Sequence, residues 1–203
     1  MFKAYQTRLK APGGAAEETD AELRSRITLA PSQFSVAGSR EAYEFYAKSA
    51  NTSIIDVSVA QTTPGTVGVY PLVAGGTTPQ EILDQVEAIL NQDTVIPLTD
   101  TVVVASPTVV NYDITVAITI LEGASAADLQ AAVEASLQAY ADSKAQSMGQ
   151  DITIAQIIRE VTEVSDYIYD VSVTSPASNQ VIDANEVAIL GTLTVTVAGT
   201  NEG

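Results

Sequence analysis

The sequence predicts an α+β protein of two small lobes, each a mainly antiparallel three-stranded sheet with two helices, preceded by a helical leader. Segments in which apolar and polar residues alternate, as in strands, are interleaved with segments in which apolar residues recur every three or four positions, as in helices. Its 203 residues suit one or two compact domains. Aromatic residues make up 5% and Trp is absent, so the cores must be mainly Val, Ile, Leu and Ala.

Residues 1–36 are predicted to form a polar leader with a short helix. Proline and glycine at 12–14 break any earlier helix. The helix is expected to begin near Asp20, with Thr19 or Asp20 as its cap, and to carry Arg24 and Arg26 on its cationic side.

The first lobe is predicted to span residues 37–105 and to begin with a helix. Gly38 provides a turn, and Ser39 can serve as the N-cap because its hydroxyl can accept a first-turn N–H. The helix is expected to run to about Ala50. Its face toward the sheet is formed by Ala42, Tyr43, Tyr46 and Ala47.

A β-hairpin is predicted after this helix. Apolar and polar residues alternate through 55–59, as in a half-buried strand. Pro64 is suited to the second position of a turn, and Gly65 can adopt positive φ at the third. The returning strand is expected to extend through 67–73.

The next helix is predicted from a capping box. Thr78 can cap it, Pro79 fits the first helical position, and Glu81 completes the box. A short strand with Val102 and Val104 is then expected to close the first lobe.

The second lobe is predicted to span residues 106–203. Strict alternation through 112–120 indicates a long strand, and two helices and two further strands follow. The tetrapeptide Asp-Val-Ser-Val, placed between a helix and a returning strand, occurs at 56–59 and again at 170–173. This repeat is either a trace of duplication or the ordinary alternation of half-buried strands.

The charge is unevenly distributed along a chain whose formal net charge is −16. Residues 1–48 carry seven basic and six acidic side chains, whereas residues 49–203 carry two and nineteen. Nucleic acids and anionic lipids are poor partners for such a body, since their binding depends on Lys and Arg. The acidic side chains serve either solubility or contact with basic partners.

Composition also limits the chemistry. Without Cys or His the chain has no disulfides and no thiolate or imidazole metal ligands, so neither a metal nor another cofactor is predicted. No run approaches the roughly 20 apolar residues that span a bilayer, so membrane insertion is not expected.

No catalytic site is predicted either. The serines lack a histidine base, and no Ser-x-x-Lys arrangement replaces it. Carboxylate pairs such as Glu160 with Glu163 are expected on the solvent faces of helices, although a glycosidase built on two buried carboxylates stays open as an alternative.

Three arginines are candidate interface residues. Arg24, Arg26 and Arg40 either anchor carboxylates of a partner or are solvated charges on helices.

Residues distributed along the chain match one known family in order and spacing. They are Gly13, Gly14, Glu18, Asp20, Leu23, Arg24, Arg26, Ile27, Ala37, Gly38, Ser39, Glu41, Ala42, Tyr43, Ala47, Asp56, Val57, Ser58, Val59, Pro64, Gly65, Pro97, Leu98, Thr99, Asp100, Val102, Val104 and Gly149. Together they resemble the baseplate J-like family of contractile phage tails. The resemblance covers nearly everything from Gly13 to about Val197.

The resemblance implies a structural protein without enzymatic activity, which joins wedge subunits into the ring around the tail tube. Its implied partners are other baseplate wedge proteins and further copies of itself, with tail tube and sheath proteins as additional candidates. Its implied location is the tail baseplate of a virion assembled in the host cytoplasm. Family members usually carry a further domain before the Gly13-Gly14 region, so a short member or a fragment is expected. The alternative function is an acidic binding module for a carbohydrate or a surface protein.

Overall fold

The computed structural model describes residues 39–92, 95 and 101–202, together with Arg24, Ile27 and Thr28. Residues 24, 27 and 28 are helical, and the rest of the predicted leader lies outside the described residues. The described part of the chain has ten main helices and strands, arranged as two α+β lobes. This is the two-lobed fold class that the sequence predicts.

The elements divide equally between the lobes. In the first lobe they are α1 (Arg40–Ala50), β1 (Ile54–Thr63), β2 (Thr66–Val73), α2 (Gln80–Leu90) and β3 (Thr101–Val104). In the second lobe they are β4 (Thr108–Leu121), α3 (Ala126–Lys144), α4 (Ile154–Thr162), β5 (Ile168–Ser175) and β6 (Glu186–Asn201). No helix in the described part of the chain is both long enough and apolar enough to cross a bilayer.

The first sheet has the strand order β1-β2-β3. Strands β1 and β2 form the predicted antiparallel hairpin, and Gly65 in its turn has a φ of 80°. Strand β3 lies parallel to β2 because the connection through α2 returns the chain to the same end of the sheet. The sheet is therefore mixed, whereas the sequence predicted mainly antiparallel pairing.

The second sheet is mixed as well and has the order β5-β4-β6. Strand β5 is antiparallel to β4, and β6 is parallel to β4 on its other side. Strands β5 and β6 are consecutive in the chain but do not pair. The repeated Asp-Val-Ser-Val segment therefore pairs with the following strand in the first lobe and with the preceding one in the second.

Each lobe has its own apolar core, and a third apolar cluster joins the lobes. Val69 and Val73 of β2 are buried in the core of the first lobe. Leu72 alternates with them and packs on the other side of the strand with Met148 and Val187 of the second lobe. The N–H of Met148 also donates to Asp56 Oδ2 at 3.1 Å. The lobes are thus joined by apolar packing and a hydrogen bond.

The capping box predicted at Thr78 does not form. Pro79 is the N-cap of α2, no side chain caps the helix, and Glu81 is exposed in the first turn. Thr78 is buried, and its hydroxyl donates to the carbonyl oxygen of Pro71. Its N–H donates to Ser106 Oγ at 3.0 Å. Leaving a buried carbonyl unpaired costs free energy, so the bond from this hydroxyl to Pro71 stabilises the fold more than a cap on α2 would.

Replacing Tyr112 with Phe is expected to leave the free energy of unfolding unchanged or to raise it by up to about 1 kcal/mol. Tyr112 is only 3% exposed, and its hydroxyl has no hydrogen-bond partner among the described residues. Burial raises the pKa of this hydroxyl, so it stays neutral. Its removal relieves the cost of burying an unpaired polar atom. Urea denaturation measures the change.

The matched control is Tyr140→Phe. The hydroxyl of Tyr140 donates to Gln156 Oε1 at 3.1 Å, so this variant loses a hydrogen bond and should be destabilised. A Tyr112→Phe variant that loses as much stability as Tyr140→Phe would contradict the assignment of an unpaired hydroxyl.

Candidate subunit interface

Arg40 is placed at the surface by the start of helix α1. Ser39 is the N-cap, and its Oγ accepts the N–H of Ala42 at 3.2 Å. Ala42, Tyr43 and Ala47 are buried and anchor the helix to the first lobe. Arg40 itself is exposed at the first helical position. The helix therefore holds a cation at the edge of the lobe.

A depression of about 280 Å³ lies beside this arginine. Its wall includes Arg40 and Tyr43 of α1, part of strand β1, and Gly65 and Thr66 at the tip of the hairpin. No carboxylate lines it. The packing of α1 against the hairpin thus creates a shallow, neutral depression with one cation at its edge.

The charge of Arg40 is not neutralised by a short ion pair within the described part of the chain. Glu44, one helical turn away, has its pKa raised by burial, an effect that Lys48 and Arg40 oppose. A guanidinium has five N–H donors in a planar fork that matches a carboxylate. Arg40 can therefore donate hydrogen bonds to a carboxylate of another molecule without first breaking an ion pair with a described residue.

The other predicted arginines are not part of this depression. Arg24 is exposed and helical, its carbonyl oxygen accepts the hydroxyl of Thr28 at 2.9 Å, and it does not line the depression. Arg26 and Gly38 lie outside the described residues. Of the three candidate arginines, Arg40 is the one that lines this depression.

Sequence reasoning did not find the lining residues of β1 and the hairpin. The sequence predicts Gly65 only as a turn residue and carries no signal for Thr66. They lie about 25 residues from Arg40 in sequence, and no local pattern links them to it. Only the packing of α1 on the hairpin brings these residues beside Arg40.

Each of the two lobes matches a known domain family. Residues 35–106 match the Baseplate J-like central domain, and residues 112–196 match the Baseplate J-like protein C-terminal domain. The chain belongs to the baseplate J-like family. This confirms the resemblance that the sequence suggested.

Baseplate protein J of Escherichia phage P2 is a relative of this baseplate J-like chain, with 28% identity over 193 residues. The alignment covers 94% of the chain and 63% of the phage protein. The chain thus spans less than two thirds of the length of that relative.

A solved structure shares the fold. A chain in the cryo-EM structure of the anti-feeding prophage baseplate, 6-fold symmetrised, superposes with a TM-score of 0.58 at 12% sequence identity. The match covers 85% of this baseplate J-like chain and 42% of the other. At this identity the similarity concerns the fold alone.

The alternative functions gain no support. Among the described residues no Asp or Glu side chain is fully buried, so nothing there favours a glycosidase with two buried carboxylates. The family matches likewise do not favour a module for carbohydrates or surface proteins.

Proposed function

We propose that this chain is a structural component of the baseplate of a phage-type contractile tail. The family matches carry the proposal, because they occur in order and extend over both lobes. The names of the phage P2 relative and of the solved prophage assembly agree with it. The proposed location is the tail baseplate of the virion, with assembly in the host cytoplasm.

The chain works by protein association and performs no catalytic step. It joins wedge subunits into the ring around the tail tube. Its partners are other wedge proteins and further copies of itself, with tube or sheath proteins as additional contacts. The cluster around Leu72 and the hydrogen bond from Met148 to Asp56 support this role, because they hold together two lobes with separate surfaces.

The depression beside Arg40 is the proposed contact in the first lobe. An exposed guanidinium beside a neutral concave surface suits a protruding acidic side chain of a neighbouring subunit. Arg24 and Arg26 are proposed as further contacts of the leader.

Co-expression with the other baseplate proteins of the same particle tests the function. We expect a complex of defined stoichiometry in size-exclusion chromatography with light scattering. A chain that stays monomeric with every one of these proteins would contradict the proposal.

Arg40→Glu is expected to weaken the affinity for the partner about fivefold without lowering the melting temperature. Reversing the charge removes the attraction for a partner carboxylate and adds repulsion. Folding is unaffected because Arg40 makes no short ion pair with the described residues. Biolayer interferometry measures the affinity, and differential scanning fluorimetry measures the melting temperature.

Thr52→Glu/Gln92→Glu is the matched control, since both residues are exposed in the first lobe and the net charge changes by the same amount. The affinity of this control should stay within about twofold of the parent, because distant exposed charges are screened. Arg24→Glu and Arg26→Glu should also weaken the affinity for the partner, because both residues are proposed contacts of the leader. If the melting temperature falls instead, the arginine concerned supports the fold and is not an interface residue.

A further inference from the structure

All the positive side chains of residues 49–203 meet in one depression of the second lobe. Lys144 and Arg159 are the only basic residues after Lys48 in the sequence. Both line a depression of about 390 Å³ between α3 and α4, together with one carboxylate, that of Glu160. The two cations lie fifteen residues apart in the sequence, and the packing of the two helices brings them together. Residues 49–203 as a whole carry nineteen acidic side chains.

Lys144 is oriented by an aromatic ring. Its Nζ lies 5.4 Å from the centroid of the Tyr140 ring, within the range of a cation–π contact. Tyr140 is buried, and its hydroxyl donates to Gln156 Oε1 of α4 at 3.1 Å. The ring therefore links the two helices and holds the ammonium at the depression.

Arg159 is oriented by acidic neighbours but keeps free hydrogen-bonding capacity. One terminal nitrogen donates to Glu160 Oε1, and Nε lies 3.8 Å from Glu163 Oε1. The side chain remains 59% exposed. Since a guanidinium has five N–H donors, these two contacts leave others for an incoming acceptor. The hydroxyl of Ser143 at the same depression is exposed as well.

We propose that this depression docks an acidic segment of a partner protein, with carboxylates accepting hydrogen bonds from Lys144 and Arg159. With Glu160 paired to Arg159, the two cations of this concavity leave an excess of one positive charge, which matches one carboxylate. A nucleic acid or an anionic membrane would need a broad positive surface, which two cations in one small depression do not provide. This depression is in the second lobe, whereas Arg40 is in the first. The proposal does not depend on the proposed role in the baseplate.

The test is a titration of the ¹⁵N-labelled full chain with a hexaglutamate peptide at an ionic strength of about 0.15 M, at which distant exposed charges are screened. We expect chemical-shift changes centred on the amides of Ser143, Lys144, Gln156 and Arg159. In Lys144→Gln/Arg159→Gln the affinity should fall roughly tenfold, as expected for two exposed ion pairs. Lys144→Arg/Arg159→Lys keeps both charges and should still bind, which separates loss of charge from loss of structure.

Two controls complete the experiment. Thr52→Glu/Gln92→Glu makes the same change in net charge and should keep the parent affinity, and hexaglutamine should not bind. Shift changes away from α3 and α4, or equal losses in the two charge-changing variants, would overturn the proposal. Self-association of the parent that Lys144→Gln/Arg159→Gln abolishes would also overturn it, because the occupant would then be a second copy.

Discussion

Leu72→Ala is expected to lower the free energy of unfolding by about 2–5 kcal/mol and to loosen the contact between the lobes. Leu72 is fully buried with Met148 and Val187, where each lobe contributes part of the cluster. Truncation removes apolar contact area and leaves a cavity at the junction of the lobes. Urea denaturation measures the loss of stability.

Hydrogen exchange at Met148 reports whether the lobe contact is affected. The amide of Met148 donates to Asp56 Oδ2 across this contact, so Leu72→Ala should speed its exchange. Leu137→Ala is the matched control, because it deletes the same atoms from the core of the second lobe alone. It should destabilise the protein with a smaller effect on Met148. Equal effects on Met148, or a loss below about 1 kcal/mol for Leu72→Ala, would contradict the proposed junction.

Gly191→Ala is expected to destabilise the protein by about 2 kcal/mol, because it displaces the Asp113 carboxylate. Asp113 Oδ1 accepts the N–H of Thr192 at 2.7 Å, at an irregularity in the pairing of β4 with β6. A Cβ at position 191 would lie 2.7 Å from the same oxygen, closer than such contacts occur. The carboxylate must move, and the N–H of Thr192 loses its acceptor.

Gly199→Ala is the control in the same strand. A Cβ at position 199 meets no atom within 4 Å, so this variant should be neutral or slightly more stable. Asp113→Ala should reduce the cost of Gly191→Ala, since the crowded oxygen is then absent. Thermal unfolding of the single and double variants measures this coupling. Purely additive changes would show that the contact with Asp113 is not the cause.

Local patterns in the sequence were sufficient to predict the kinds of element and their division into two lobes. Alternation through 112–120 identifies the buried residues of β4, and Pro64 with Gly65 identifies the hairpin turn, because these signals depend on neighbouring residues. The order of family-specific residues was sufficient to suggest the baseplate J-like family. Function could be inferred only through that resemblance, since the residues alone name no reaction.

The tertiary structure decided which elements lie beside one another. Alternation shows which face of a strand is buried, but not which strand pairs with it, so the parallel partners of β2 and β4 could not be read locally. The same reason applies to the surfaces. Arg40 meets the hairpin, and Lys144 meets Arg159, only after helices pack on strands and on each other. The hydroxyl of Thr78 likewise bonds to the buried carbonyl oxygen of Pro71 and does not cap α2. The reason is that an unsatisfied buried carbonyl costs more free energy than an uncapped helix start.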